Sequence, residues 1–426
     1  MTQLGQDIFA AGEKPMRVEE AAAWLVARAP ATGDLETVSI FEADGRILAH
    51  DLTAPLALPG FDNSAVDGYA VAFKDLATAG ESVLPIGGRM AAGRSFDPAG
   101  GDDLSGTAVR IFTGAMMPPG MNTVFMQEDC RLTADGRVVL PPGLKPGDNR
   151  RLRGEDIDVG ALAIAAGRRL APEDIGLAAA LGLDRLTVRR RLKAAIFSTG
   201  DELVCPVLPR IEGALQAPDA YDANRFLLCA LLRRQGLEVT DLGILPDDKT
   251  QIAAALRKAA KGHDLIVSSG GVSVGEEDHV KAAILEQGSL HFWRLAIKPG
   301  RPLAMGVIDG APFIGLPGNP VAAFIGFVFV ARALIAALSG ARFEAPLAVP
   351  VASGFAYRKK AGRREFLRAS LFRDASGVLT AEKYAGQGAA VLTSLTRTRG
   401  FVDLPEEAVE IAPGDRVNFI DYDLIR

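Results

Sequence analysis

Between Lys193 and Ala341, short apolar runs alternate with amphipathic ones. "KAAIFS" reads as a strand, and "DANRFLLCALLRRQG" as a helix opened by Asp222 and closed by Gly236. "LEVTDLG" and "DDKTQIAAALRKAAKG" repeat the pair. "DLIVSS", the helix "EEDHVKAAILEQG", the strand "HFWRLAI", a strand pair around "PLAMGV" and "PFIGL", and an apolar helix follow. This alternation predicts a doubly wound parallel sheet with helices on both faces, whose ligands sit beyond the carboxyl ends of the strands. The loops "STGDEL", "LPDD", "SSGGVSVGEED", "KPGRP" and "LPGNP" then share one rim.

The flanking sequence has other periods. Residues 14 to 50 contain an amphipathic helix, "VEEAAAWLVARA", and a second helical run, "IFEADGRILAH". Residues 61 to 150 break at Gly and Pro into short strand-like pieces such as "TAVRIFTG" and "NTVFMQED", which predicts a small all-β domain. Helical pattern returns in "APEDIGLAAALG", and from about Ala345 "APLAVPVASG", "REFLRASLFR" and "DRVNFIDYD" predict a second β domain.

Composition narrows the function classes. A chain of 426 residues with 48% hydrophobic content is too long for one core, so about two to four domains are expected. With 47 basic against 52 acidic residues, it lacks the charge excess of a general nucleic-acid or anionic-lipid binder. The three cysteines, Cys130, Cys205 and Cys229, show no CxxC spacing, which favours neither disulfides nor structural zinc and fits a reducing, cytoplasmic setting. The first residues show no secretory-signal pattern. "VAAFIGFVFVARALIAALSG" is long enough to span a membrane but carries Arg332 and sits between soluble segments, so it reads as a buried helix.

Chemistry concentrates on the predicted rim. In "SSGGVSVGEED", Gly270, Gly271 and Gly275 allow close backbone approach, Ser268, Ser269 and Ser273 offer hydroxyls, and the following helix offers N–H groups, a combination suited to an oxyanion. Glu276, Glu277 and Asp278 repel a phosphate unless a hard divalent cation lies between. Asp201 and Glu202 follow another strand, and Asp247 and Asp248 a third. Lys298 and Arg301 flank a Pro-Gly turn, and "LPGNPVAAF" places a turn directly before the apolar helix. Off the rim, "PGFDNSAVDGYAV" gathers Asp62, Asn63, Ser64 and Asp67, while "NRRLRGEDI" sets Arg150, Arg151 and Arg153 beside Glu155 and Asp156. Either is also readable as a solvated turn with local ion pairs. The four histidines have no metal-ligand spacing, and no nucleophile triad can be argued from them.

Eight ordered motifs, "PGFDNSAVDGYAV", "RIFTGAMMPPG", "RRLRGEDI", "STGDEL", "YDANR", "SSGGVSVGEED", "FWRLAIKPGRP" and "GLPGNPVAA", make the chain resemble the molybdopterin molybdenumtransferase family from about residue 15 to the end. The resemblance implies a multidomain α/β chain. Its expected parts are an elongated, discontinuous helical and β N-terminal domain (1–60 and 151–190), a small β lid domain (61–150), a central doubly wound molybdopterin-binding domain (191–343) and a C-terminal β domain (344–426). It implies conversion of adenylylated molybdopterin and molybdate to molybdenum cofactor and AMP, assisted by Mg2+. It also implies a homodimer whose cleft lies between the α/β domain of one chain and the lid of the other.

Carried over by position, the functional acids fall on Asp67, Asp156, Glu202, Asp247 and Asp278, with Asp247, Asp278 and Glu202 as metal ligands. Substrate contacts fall on Thr113, Ser269, Gly270, Gly271, Ser273, Arg294, Lys298, Arg301, Pro317, Pro320 and Ser394. Arg294 stands where the family usually carries lysine. Glu202 or Asp67 would deliver the protons with which molybdate oxygens leave as water. The molybdopterin adenylyltransferase is admitted as a further partner. Two other readings stay open: adenylylation of molybdopterin by ATP, whose enzymes resemble only the α/β block, and a non-catalytic scaffold that retains the fold.

Overall fold

The computed structural model describes residues 15–93, 97–98, 104–206, 219–270 and 279–425. Its centre is a six-stranded sheet built from β1 (Lys193–Thr199), β2 (Glu238–Leu245), β3 (Leu265–Ser269), β4 (Gly288–Arg294), β5 (Pro302–Ile308) and β6 (Ala311–Leu316) in the order β2-β1-β3-β6-β5-β4. The pairings β1–β2, β1–β3 and β3–β6 are parallel. The hairpins β6–β5 and β5–β4 are antiparallel, so the sheet is mixed rather than purely parallel. Two reversals return β4 to the direction of β6, which brings "KPGRP" to the same rim as the other loops. Because β1 lies between β2 and β3, the connections leaving β1 and β3 diverge and open a crevice at their carboxyl ends.

The helices follow from the sequence. Helix α1 (Asn224–Arg234) starts where the Asp222 carboxylate accepts from the Arg225 N–H (3.2 Å), and α2 (Lys249–Gly262) starts where Asp248 accepts from the Gln251 N–H (2.8 Å). Helix α3 is described over His279–Gln287. Helix α4 spans Pro320–Ser339, with Pro320 at its first position and a π-helical segment at Phe327–Ala331. It is long and apolar enough to cross a membrane, but 89% of its apolar window is buried inside the protein. The expected core helix is what forms.

The flanking segments are built on β structure. Leu35–Ser39 pairs with Arg185–Arg189, and Leu52–Thr53 with Leu162–Ile164, so segments about 110 to 150 residues apart close one N-terminal unit. It also carries helices Val18–Arg28 and Pro172–Ala180. "IFEADGRILAH" is not an α-helix. A 3-10 turn at Ile40–Glu42 gives way at Gly45 (φ 71°) to bridges at Ile47 and Leu48, because the Asp44-Gly45 turn breaks the helical repeat. Within residues 61–150 a five-stranded sheet packs beside a three-stranded one. In the C-terminal part, pairing of Arg364–Arg373 with both Leu379–Lys383 and Gly400–Leu404 closes a barrel-like sheet.

One apolar cluster joins three of these units. It contains Val18, Ala21 and Leu25 of the N-terminal helix, the inner face of α4, and Phe366, Phe401 and Tyr422 of the C-terminal sheet. Phe324 in α4 lies 5.9 Å from Phe401 and 5.5 Å from Tyr422, centroid to centroid. Phe324→Ala should cost about 3–5 kcal/mol. In urea titrations followed by circular dichroism, the α/β and C-terminal units should both unfold earlier, because the lost ring is shared between them.

Candidate active site on the sheet rim

The crevice between β1 and β3 is closed at its base by one side chain. The Asn224 amide donates to Ser269 Oγ (2.9 Å) and to the Gly318 carbonyl (2.7 Å), linking the loops after β3 and β6. Its neighbours hold it there. Buried Arg225 donates to Asp222 (2.7 Å) and to Asp241. Burial opposes the arginine's charge, but the hydrogen bonds to these two carboxylates outweigh it and raise the Arg225 pKa. In "YDANR", Asp222 and Arg225 therefore anchor the helix start while Asn224 faces the rim. The motif by itself assigns Asn224 no role, although an asparagine between two paired charges at a helix start is the signal it offers.

The phosphate-cradle reading of "SSGGVSVGEED" is modified where it can be seen. Gly270 takes φ 79°, so it does need to be glycine, but its N–H already donates to the Leu316 carbonyl (3.0 Å). Ser269 accepts from Asn224, which leaves its own hydroxyl proton to give. Ser268 is buried and faces inward. The Ser198, Thr199 and Ser268 hydroxyls, at the ends of β1 and β3, are buried without hydrogen-bond partners among the described residues. Gly271, Ser273 and Asp278 lie outside the described residues.

Of the rim acids, Asp248 is committed to capping α2, which leaves Asp247 exposed beside it. Glu202 is exposed and curls back over Gly200 (φ 144°), where a Cβ would meet its carboxylate oxygen at 2.6 Å. Among the described residues no three metal-ligating side chains converge.

The cationic side is better defined. Lys298 Nζ lies 3.3 Å from Glu365, a carboxylate only 2% exposed that also accepts from Tyr357 Oη (2.8 Å). Burial, then Glu365, push the Tyr357 hydroxyl up to about 12, so it stays protonated and keeps donating. Half of the Lys298 side chain stays exposed, held at the rim by the C-terminal sheet. Arg294 and Arg301 are exposed and form no ion pair with a described carboxylate. Pro317 and Pro320 bracket the turn into α4, half-buried, but the Val321 N–H at that helix start already donates to the Ala389 carbonyl (3.0 Å).

Ser394 does not face the rim. It is fully buried, accepts from Arg368 Nε (3.1 Å) and donates to the Val391 carbonyl (2.5 Å). Arg368, 1% exposed, also donates to the Gly386 and Gly388 carbonyls, so the Gly-Gln-Gly loop is wrapped around it.

The polar segments of residues 61–150 meet one another. Asn63 and Ser64 pair in register with Arg151 and Arg150, and Asp62 accepts from the Arg153 N–H (2.8 Å), so "FDNS" and "NRRLRGEDI" form one ledge. Asp156 is exposed on it. Asp67 accepts from both the N–H and the hydroxyl of Thr113, at 2.7 Å each. The backbone bond first, then the hydroxyl, hold the Asp67 carboxyl below its ordinary range. An ionised acid of this kind is a poor proton donor at neutral pH. Among the described residues, no hydrogen bond or ion pair links residues 61–150 to the α/β unit of the same chain.

Known proteins match this arrangement part by part. Residues 16–182 match the family model described as the MoeA N-terminal region (domain I and II), residues 195–337 a probable molybdopterin binding domain, and residues 350–422 the MoeA C-terminal region (domain IV). A molybdopterin molybdenumtransferase of Haemophilus influenzae is 36% identical, covering 94% of this chain and 97% of the relative. The chain belongs to the molybdopterin molybdenumtransferase family. Molybdopterin molybdenumtransferase 2 of Mycobacterium tuberculosis is also 36% identical over 90% of this chain and 94% of its own length. A solved structure described as molybdopterin biosynthesis MoeA protein from Pyrococcus horikoshii superposes with a TM-score of 0.79 at 27% identity, covering 96% of this chain and all of that one.

Within this family architecture the Asp67–Thr113 pair gives a pH test. A depressed carboxyl pKa favours the folded, ionised form above the ordinary aspartate range, and that advantage disappears as pH falls through the lowered value. Thr113→Val removes the hydroxyl bond and keeps the backbone one. The Asp67 carboxyl resonance should then titrate at higher pH than in the parent protein, without reaching the ordinary aspartate value.

Proposed function

We propose that this chain inserts molybdenum from molybdate into adenylylated molybdopterin at the carboxyl rim of the α/β sheet, releasing AMP and molybdenum cofactor. The observation that carries this reading is the Asn224 bridge. From the helix that follows β1, Asn224 reaches Ser269 at the end of β3 and Gly318 in the loop after β6, with exposed acids on one flank and the Lys298 cation on the other. The reaction asks for no histidine or cysteine nucleophile. It asks for anion binding, charge stabilisation and proton delivery.

Lys298, positioned by its ion pair with Glu365 and half exposed at the rim, binds an anionic group. Exposed Arg294 and Arg301 add positive charge that draws molybdate, a dianion, toward a crevice that otherwise carries acids. The planar fork of Arg294 reaches two oxygens at once where a lysine acts as a point charge. Glu202, exposed over Gly200, delivers protons to departing molybdate oxygens, which leave as water. The Ser269 hydroxyl donates to a phosphate oxygen.

The donor set of the rim fits Mg2+, since exposed Asp247 offers a hard oxygen ligand and this ion takes one or two carboxylates alongside substrate phosphates and water. When bound, the ion supplies charge neutralisation at the pyrophosphate that joins molybdopterin to AMP. The full acid complement, with Asp67 and Asp156 added, is built in trans. Among the described residues, the ledge with Asp156 and the neighbouring Asp67 make no polar link to the rim of their own chain, which supports their serving the rim of a second copy in a homodimer. The adenylyltransferase that makes the substrate is the natural upstream partner, and a cytoplasmic location suits three cysteines without CxxC spacing.

Two measurements test this reading. Asp247→Asn should lower Mg2+-dependent AMP release by at least about tenfold and raise the Mg2+ needed for half-maximal rate; an unchanged metal dependence would remove Asp247 from the site. Co-expression of Asp67→Asn with Asp247→Asn chains should restore activity that neither homodimer has. In a heterodimer both lesions fall in one cleft and the other stays intact, so about a quarter of the parent activity is expected for random pairing, whereas no recovery would mean that each site comes from a single chain.

A further inference from the structure

Far from the rim, a cavity of about 670 Å³ opens where three units meet. Its walls come from the 163–169 segment of the N-terminal unit, the Arg332 side of α4, and the Ala341–Glu344 linker to the C-terminal sheet. Arg332 lies twelve residues into α4, about 18 Å along the axis from the rim end at 1.5 Å per residue. Gln235, also on the wall, follows the carboxyl end of α1, the opposite end from Asn224. The walls are tied together: the Arg342 N–H donates to the Gly167 carbonyl (2.9 Å), and Gly167 takes φ 78° with room for a Cβ denied by the Gly340 carbonyl at 3.0 Å.

Four arginines line this cavity, Arg168, Arg169, Arg332 and Arg342, against two acids, Asp174 and Glu344. Asp174 is neutralised locally, since Arg168 Nε contacts both its oxygens at 2.8 and 2.9 Å. Glu344 is exposed and pairs with no arginine within ion-pair distance among the described residues. That leaves Arg332 beside Arg169, whose Nη1 donates to the Gly45 carbonyl (2.9 Å), with exposed Arg342 on the same wall. Arg332 Nε and Nη1 are buried and have no acceptor among the described residues. A buried guanidinium with unmade hydrogen bonds, beside a second cation, is costly unless an anion supplies the missing acceptors. Desolvation lowers the pKa of Arg332 and the neighbouring Arg169 lowers it further, while Glu344 offsets part of the shift.

We propose that this inter-domain cavity binds a tetrahedral oxyanion group, free or as the phosphate of a small organic ester. The Arg332 guanidinium fork, with Nε and Nη1 lacking acceptors among the described residues, matches two oxygens of such a group, and Arg169 and Arg342 add positive charge to the same cavity. Ile164, Ile335 and Phe343 give the wall an apolar side against which the organic part of an ester can lie.

Titration calorimetry at fixed ionic strength on the full chain decides it, with inorganic phosphate, molybdate and AMP as probes. Lys298→Ala separates this cavity from the rim. At least one probe should bind with an affinity that Lys298→Ala leaves within about twofold, that Arg332→Met lowers by about tenfold or more, and that Arg342→Ala lowers several-fold. Arg342 is exposed, so its variant folds even where Arg332→Met does not. AMP binding tighter than phosphate with the same arginine dependence supports the ester form, and equal or weaker AMP binding supports the free anion. The proposal is overturned if no probe binds better than chloride, if Lys298→Ala abolishes all binding, or if Arg342→Ala leaves binding unchanged.

Discussion

An apolar helix of twenty residues, Pro320–Ser339, has to be hidden from water, and much of the molecule is organised around hiding it. The central sheet covers one side. The rest is covered by elements remote in sequence: the helix Val18–Arg28 and the aromatic residues Phe366, Phe401 and Tyr422. Burying one residue of this size contributes about 1.5–3 kcal/mol, so a helix apolar all round binds its neighbours strongly enough to join three units into one core. The C-terminal sheet is thereby docked where it can hold Lys298 at the rim through Glu365, and the α4 N-terminus is fixed beside the β3 loop.

The functional groups divide by how they are held. Asn224, Lys298 and the Asp67–Thr113 pair are each oriented by specific hydrogen bonds to neighbouring elements, and these preset where a ligand can sit. Asp247, Glu202, Arg294 and Arg301 are exposed and unpaired among the described residues, as suits groups that meet charge only when substrate and ion arrive. The same contrast separates the rim from the distal arginine cavity. At the rim, opposite charges flank an open crevice, whereas the cavity gathers like charges that have too few acceptors.

Several features were open to inspection in the chain itself. The alternation from Lys193 to Ala341, with apolar runs of strand length and periodic helices, determined the doubly wound block, and the same alternation placed five polar loops on one rim. The all-round hydrophobicity of α4, interrupted by Arg332, marked it as a core helix. These are local properties: periodicity, turn residues and caps act over a few positions, so a linear reading captures them. The "IFEADGRILAH" segment escaped because its apolar spacing suits a helix while the Asp44-Gly45 turn and its bridges to Arg169 and Val188 impose something else.

What only the tertiary structure decided are matters of distance between remote positions. Nothing in the local pattern says that Asn224 spans from Ser269 to Gly318, or that Lys298 leans on Glu365. Nor does it say that the Gly270 N–H and the Ser394 hydroxyl, both plausible ligand groups by position, are already engaged elsewhere. Hydrogen-bond donors and acceptors are claimed by whichever partner the packed chain brings within about 3 Å, and that competition is settled only after the sheet, the barrel and the apolar helix have closed on one another.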